Sequence, residues 1–219
     1  MFSIVRSLAS VATALSIAGG AAAAEQTAPA APDRVPDLTG RHYFYVAGGW
    51  FNPQANPQLN DPNGHYGFAF GFGSRASRHI AWEVEFFGDH QRVDRPFTPP
   101  PTLFATPSSR ASIETLGLAG DIRLLYPLGR FEPYVGVGLG LYRTELEIAQ
   151  GFLASSVKRS DTDVGLQLLA GVEYVFGEGG GALGLQYRSL KLDASLGPEI
   201  VGKVDVGGDF LFIVLRFNF

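Results

Sequence analysis

The stretch DFLFIVLRFNF, residues 209–219, decides the fold. Counted back in steps of two, one set of its residues is wholly large and apolar: Phe219, Phe217, Leu215, Ile213 and Leu211. The other set mixes Asn218 and Arg216 with hydrophobic residues. A period of two predicts a β-strand rather than a helix. An apolar strand face of this kind needs an apolar solvent or a partner to cover it.

Seven further segments show the same alternation, and together with residues 209–219 they predict an all-β protein of eight antiparallel strands. In each segment one face is nearly all large and apolar, and the other carries Gly, Ala and small polar residues with occasional charges. The segments are residues 42–51, 65–73, 80–89, 111–126, 133–146, 161–176 and 182–196.

The glycine-rich face of the strands indicates which face of the predicted sheet is turned away from water. In PYVGVGLGLYR, residues 133–143, valines and leucines alternate with Gly136, Gly138 and Gly140. A hydrated exterior would carry many Lys and Glu, whereas glycine suits a crowded interior or a close approach of backbones. We therefore predict an inside-out arrangement, in which the large apolar residues face lipid and the small or charged residues fill the lumen.

The connections alternate in length, which supports a membrane barrel. Short connections are expected at residues 74–79, 127–132 and 177–181, and longer ones at 52–64, 90–110, 147–160 and 197–203. Short periplasmic turns and longer extracellular loops are typical of an eight-stranded, up-and-down transmembrane β-barrel. An even number of strands puts both ends of the barrel on the side of the short turns.

The N-terminal region is predicted to lie outside the barrel. Residues 1–24 combine one positive charge, an apolar stretch and small residues before Glu25, as in a signal peptide that is removed on export. A membrane anchor is the alternative, but the apolar stretch is shorter than the ~20 residues of a spanning helix. Residues 25–40 are predicted to be an Ala/Pro-rich periplasmic linker, and residues 41–219 the barrel.

Composition excludes some functions. The chain has no cysteine, so it has no disulfide framework. Its formal net charge is −4, and loss of Arg6 with the signal peptide would make it −5, which disfavours a nucleic-acid partner.

The chain resembles the small eight-stranded outer-membrane barrels of Gram-negative bacteria, the group of the OmpA transmembrane domain, OmpX and the opacity proteins. The strand pattern, PYVGVGLGLYR and the terminal FIVLRFNF carry the resemblance, which covers residues 41–219. It implies a monomer in the cell outer membrane, surrounded by lipids and lipopolysaccharide. It also implies that the barrel-assembly machinery recognises the last strand through Leu211, Ile213, Leu215, Phe217 and Phe219.

Charged residues on the small-residue faces are predicted to form a network in the lumen. Eight strands leave an interior that side chains just fill, and a lone buried charge is costly, so these groups must pair. The network is expected to hold the barrel shut, and a gated narrow pore is the alternative. Its members are Glu83, Glu85, Asp121, Arg123, Glu173, Arg188 and Arg216, four acids against three bases.

Catalysis has weak support in the sequence. Lipid A deacylases of similar size carry a neighbouring His and Ser in the penultimate strand, but GLQYRSL, residues 184–190, keeps only Ser189. Without a His the Ser lacks an activating base. His65 and Asp89 are predicted to meet at the extracellular rim, either as a plain hydrogen bond or as part of an acyl-transfer site. His42 and His79 lie at the other end, so we predict no metal site and no cofactor.

The predicted function is structural: an integral outer-membrane barrel that supports envelope integrity and presents surface loops. The alternatives are an adhesin that binds an extracellular ligand through loops such as the Pro-rich residues 90–110, a lipid A-modifying enzyme, and a small channel. Aromatic residues near strand ends are predicted to form the interfacial belts: Tyr43, Tyr45, Trp50, Trp82, Tyr126 and Tyr174.

Overall fold

The computed structural model describes residues 37–53, 65–93, 110–149, 156–176, 180–194 and 204–219. These residues form ten strands in chain order: β1 His42–Pro53, β2 Tyr66–Arg75, β3 Ile80–Val93, β4 Arg110–Leu125, β5 Phe131–Ala149, β6 Ser156–Phe176, β7 Gly181–Lys191, β8 Asp193–Ala194, β9 Val204–Asp205 and β10 Gly208–Asn218. The described residues contain no helical membrane span.

Eight of the described strands close into an antiparallel barrel in the order β1, β10, β7, β6, β5, β4, β3, β2. Each of these strands pairs with the barrel strands that precede and follow it in the sequence, and β1 pairs with β10 to complete the ring. The terminal stretch that suggested a strand is therefore the one that closes the barrel. The predicted fold, an eight-stranded up-and-down barrel, is confirmed.

Three strands extend further towards the extracellular side than predicted. β3 continues to Val93, β5 runs to Ala149, and β6 begins at Ser156. The first residues of the predicted loop 90–110 thus belong to β3, and its residues 94–109 lie outside the described part of the chain. The extensions were missed because their outward residues are polar, although backbone pairing does not need an apolar side chain.

The predicted seventh strand, residues 182–196, is interrupted rather than continuous. β7 ends at Lys191, and β8 then pairs with β9. The backbone amide of Val206 donates a hydrogen bond to the carbonyl of Leu192 at 2.9 Å. The pairs β7–β10 and β8–β9 therefore share one register. The two paired segments lie close together at Gly207, where a Cβ would collide with the Leu190 carbonyl.

The two faces of the wall differ as the alternation predicted. Large apolar residues cover the outside. Leu211, Ile213, Leu215 and Phe217 of β10 and Phe219, which follows it, are all exposed on that face. On the inside, glycines leave room for large side chains from elsewhere on the wall: the ring of Tyr43 lies against Gly73, and the ring of Tyr142 against Gly117.

Two of the predicted belt residues lie elsewhere. Tyr43 and Tyr45 are fully buried in the lumen, so their assignment to an interfacial belt was wrong. They alternate in phase with the inward Ala47, and their hydroxyls bond to carboxylates inside the barrel. The other four aromatic residues predicted for the belts are exposed on the outer face: Trp50, Trp82, Tyr126 and Tyr174.

The last residues of the predicted linker pack against the periplasmic end of the barrel. Leu38 is 3% exposed and clusters with the inward-facing Val175 and Ala182. The backbone amide of Gly40 donates to the carbonyl of Arg75 at 2.9 Å. Residues 37–40 thus cover part of the periplasmic opening.

Candidate functional site

The inward residues of β3 mark the layers of the lumen. From the periplasmic end to the extracellular end they are Ala81, Glu83, Glu85, Phe87, Asp89 and Gln91. Two layers of charge come first, an aromatic layer follows, and polar residues lie above it. Because every second residue of β3 faces the lumen, the sequence of this strand sets the order of the layers along the barrel axis.

The lower charged layer joins four of the predicted network residues. Arg123 forms an ion pair with Glu83, and its second terminal nitrogen lies 3.5 Å from Glu173. Arg216 donates through Nη2 to Glu173 at 2.8 Å and to Glu83 at 3.3 Å. The four side chains are buried, so the two guanidinium groups and two carboxylates balance each other away from water.

Tyrosine rings cover this layer. The guanidinium of Arg216 lies 4.2 Å from the centre of the Tyr43 ring, and that of Arg123 lies 4.7 Å from the centre of the Tyr134 ring. The Tyr43 hydroxyl also donates to Glu83 at 2.7 Å. Cation–π contacts of this kind become stronger where water is excluded.

The upper charged layer contains the remaining three predicted residues. Arg188 bonds to both carboxylate oxygens of Glu85, at 2.5 and 2.7 Å. The side-chain amide of Gln167 donates to Glu85 at 3.0 Å and to Asp121 at 2.5 Å. The fourth carboxylate, that of Asp121, is thus held by an amide, and Tyr45 adds a hydroxyl bond to Glu85 at 2.6 Å.

Sequence analysis missed several members of this interior. Gln167, Tyr43 and Tyr45 bond directly to the network acids. Nearer the periplasm, Arg75 and Glu132 form a further buried ion pair with two hydrogen bonds, one of them 2.7 Å long. Strand alternation could have found the first three, whereas Arg75 and Glu132 sit where the predicted strands had already given way to turns.

An aromatic layer separates the charges from the extracellular end. The rings of Phe87 and Phe210 meet edge to face at 5.1 Å, and Phe210 stacks on Phe212 at 5.4 Å. Tyr142 meets Phe87 at 5.9 Å. Arg188 lies 5.4 Å from the Phe87 ring and 5.3 Å from the Phe212 ring, so its charge is covered by aromatic rings.

The residues considered for catalysis do not share one face. His65 and Asp89 are buried inside, and Asp89 accepts a hydrogen bond from Gln91 at 2.8 Å. Ser189 belongs to the outward set of β7, because its neighbours Arg188 and Leu190 are the buried residues. A serine on the outside of the wall cannot transfer its proton to a histidine in the lumen.

The other histidines are also apart from this pair. His79 Nδ1 lies 3.1 Å from the Leu125 carbonyl near the periplasmic turns, and the His42 ring lies 6.4 Å from the Phe219 ring at the same end. His90 points outward, 3.2 Å from Glu114.

Solved structures with a similar fold are small outer-membrane barrels. Neisserial surface protein A is 16% identical, with a TM-score of 0.56, and the match covers 83% of this chain and 98% of that one. Ail, the attachment invasion locus protein of Yersinia pestis, is 11% identical in its complex with the heparin analogue sucrose octasulfate, with a TM-score of 0.53 and coverage of 83% and 100%. At these identities the likeness concerns the fold alone.

The family of the chain follows from a separate comparison. No curated protein matches the sequence. The family model described as outer membrane protein beta-barrel domain matches residues 10–210, which is most of the chain. With the closed barrel and its apolar exterior, this match identifies the chain as a member of the outer membrane protein beta-barrel domain family, and so as an outer-membrane protein.

Proposed function

We propose that this barrel has a structural role in the outer membrane, with a closed lumen and no catalytic activity. The observation that carries the proposal is the filling of the lumen. Arg123, Arg188 and Arg216 are fully buried across it, together with tyrosine and phenylalanine rings. A barrel of eight strands has little interior volume, and side chains of this size use it up.

A conductance measurement tests the closed lumen. The purified protein is inserted into planar lipid bilayers beside a known porin as positive control. We expect no discrete conductance steps from this chain at voltages where the porin conducts. Reproducible steps that scale with protein concentration would favour the channel and contradict the closed lumen.

The absence of catalysis is tested through the lipid itself. Lipid A from cells with and without the protein, and from cells with the His65→Ala variant, is compared by mass spectrometry. We expect identical spectra, because Ser189 faces away from the lumen that holds His65 and Asp89. An acyl chain gained or lost in a His65-dependent way would make the protein an enzyme.

An envelope role is tested in cells. Deletion of the gene is expected to raise sensitivity to detergents and large antibiotics, and the wild-type gene is expected to restore resistance. The deletion strain is also complemented with the Arg188→Met/Glu85→Met double variant, which removes one ion pair while keeping apolar volume. This variant shows whether the envelope role needs that ion pair or only the presence of the barrel. Unchanged sensitivity of the deletion strain would contradict the role.

Ligand binding at the cell surface is the alternative that the projecting strands favour. β5 and β6 extend beyond the apolar band, and there Lys158 lies 3.1 Å from Glu145 and 3.3 Å from Glu147. These glutamates raise the pKa of Lys158, so the amine stays protonated and its positive charge is balanced by theirs. Arg143 and Arg159 are exposed on the same hairpin and are cations that an anionic ligand such as a sulfated polysaccharide could contact there. Retention on a heparin column at physiological salt would support the adhesin, and absence of retention would count against it.

Export and assembly complete the proposal. Residues 1–24 are removed on export, so the mature protein begins at Glu25, which N-terminal sequencing of the purified protein tests. The apolar outer face of β10 serves as the signal for the barrel-assembly machinery. Phe219→Ala is expected to lower the amount of folded barrel in cells while leaving refolding in detergent unchanged. Equal loss in both settings would point to stability rather than recognition.

A further inference from the structure

A cavity of about 200 Å³ lies at the periplasmic end of the barrel. It is enclosed by the residues before β1, by the end of β2 with the turn that follows, and by the turn that leads into β5. Its lining includes Asp37, Leu38, Arg75, Arg78, Pro127 and Glu132. Pockets for drug-sized ligands measure about 300–1,000 Å³, so this cavity suits a smaller chemical group.

Arg75 brings a free hydrogen-bond donor to this cavity. Its two terminal nitrogens are taken by the buried ion pair with Glu132. Its Nε is also buried and has no hydrogen-bond partner among the described residues. Native proteins rarely leave a buried donor unpaired, so a ligand in the cavity is a suitable acceptor for Arg75 Nε.

Arg78 and Asp37 add one exposed charge of each sign. The backbone amide of Thr39 donates to the Asp37 carboxylate at 3.0 Å, and this bond is the main reason why the pKa of Asp37 lies below its ordinary value. The positive charges of Arg78 and Arg75 lower this pKa further. Asp37 is therefore ionised at neutral pH, and a complementary ligand carries both a negative and a positive group.

The cavity adjoins the lipid-facing surface of the barrel. Pro127 in its lining lies between Tyr126 and Leu128, which are 64% and 55% exposed. Tyrosine is enriched where a membrane meets water, because its ring is apolar and its hydroxyl is polar. The cavity is thus at the level of the lipid head groups of the periplasmic leaflet.

We propose that this cavity binds the head group of a phospholipid that carries a phosphate and a primary ammonium, as phosphatidylethanolamine does. Arg78 and the Nε of Arg75 donate to the phosphate, because guanidinium groups match phosphate oxygens in charge and geometry. Asp37 accepts a hydrogen bond from the ammonium. This goes beyond the structural role proposed above, since it gives the barrel a preferred lipid at its periplasmic end.

Native mass spectrometry of the purified protein in detergent tests the site. Phosphatidylethanolamine, phosphatidylcholine and phosphatidylglycerol with the same short acyl chains are added separately. The ammonium of phosphatidylcholine is methylated and cannot donate, and phosphatidylglycerol has none. We expect one phosphatidylethanolamine per barrel, bound about tenfold more tightly than the other two lipids, because only it makes the charge-assisted bond to Asp37.

Variants separate the two charged walls of the cavity. Arg78→Gln is expected to weaken the binding of all three lipids, because all three carry the phosphate. Asp37→Asn is expected to remove the preference for phosphatidylethanolamine while leaving phosphatidylglycerol bound as before. The control Arg41→Gln changes an exposed arginine outside the cavity lining and is expected to bind as the wild type does. Heat-dependent mobility on gels verifies that each variant is folded.

Four outcomes would overturn the proposal. They are equal affinity of the wild type for the three lipids, an unchanged lipid preference in folded Asp37→Asn, equal losses in Arg41→Gln and Arg78→Gln, and equally tight binding of soluble phosphoethanolamine. The third result would assign the lipid to the general positive charge of the rim, and the fourth would make the ligand a soluble one. None of these readouts depends on conductance or on envelope sensitivity, so the structural role is tested separately.

Discussion

Arg188 on β7 and Glu85 on β3 join opposite walls of the barrel. Their two hydrogen bonds, of 2.5 and 2.7 Å, connect strands that lie four places apart in a ring of eight. Neither side chain has any exposure to solvent. The pair therefore spans the cross-section of the lumen and fixes the distance between its two sides.

Breaking this pair on one side should be costly. Arg188→Met leaves the Glu85 carboxylate buried without its main partner, and we expect a loss of about 3–5 kcal/mol in the free energy of unfolding. Urea titration of the barrel in lipid vesicles measures this value. The double variant Arg188→Met/Glu85→Met removes both charges and should recover most of the loss. An Arg188→Met variant as stable as Lys158→Met, which breaks an exposed ion pair, would contradict the assignment.

Two glycines on β4 offer a matched test of lumen crowding. A methyl group at Gly117 would collide with the Tyr142 ring, whereas one at Gly120 would meet nothing nearer than the Glu83 carbonyl at 3.9 Å. Gly117→Ala is expected to destabilise the barrel by about 1–3 kcal/mol, because overpacking forces side chains to move. Gly120→Ala should be close to neutral in the same titration. Equal stability of the two variants would show that the lumen is not tightly packed.

The buried tyrosine hydroxyls are expected to contribute to stability. Tyr45→Phe removes the hydroxyl that donates to Glu85 at 2.6 Å, and we expect a loss of about 1.5–3 kcal/mol for a hydrogen bond to a charged group. Tyr174→Phe, on the outer face, is the control and should change little. If both variants unfold at the same urea concentration, the Tyr45 hydroxyl contributes no measurable stability to the network.

The loss of stability caused by a charged side chain on the outer face of β10 should depend on its position along the strand. Ile213 lies near the middle of the strand and Phe219 follows its end. Ile213→Arg is expected to cost about 2–4 kcal/mol in vesicles, and Phe219→Arg about 0–1 kcal/mol, because the penalty falls towards the interface. Refolding into vesicles followed by urea titration measures both. A larger cost at Phe219 would mean that the barrel sits at a different height in the bilayer.

Residues 37–40, which precede β1, should detach from the barrel more often when the buried Leu38 side chain is removed. Leu38→Ala takes away most of the side chain buried against Val175 and Ala182. We expect faster hydrogen exchange at the Gly40 amide, which bonds to the Arg75 carbonyl, with little change in the strands. Arg41→Ala is the control, since the Arg41 side chain is exposed. Unchanged exchange at Gly40 would show that Leu38 does not hold the segment.

The sequence determined the barrel because a lipid-facing wall leaves a strict pattern. Every second residue from Leu211 to Phe219 must be apolar, and the same rule repeats in the other strands. Alternation also assigned Glu85, Arg188 and the other network charges to the inner face, since a charge on the lipid side is unfavourable. These inferences need only the period of a strand.

Tertiary structure decided which inward residues meet. Glu85 and Arg188 are 103 residues apart and come from opposite walls, so their pairing depends on barrel diameter and register. The same holds for Asp121, which is bound by Gln167 rather than by an arginine. Tyr43 and Tyr45 were wrongly assigned to the interface because tyrosine suits both a membrane boundary and a polar lumen. Only the closed ring brings their hydroxyls to Glu83 and Glu85.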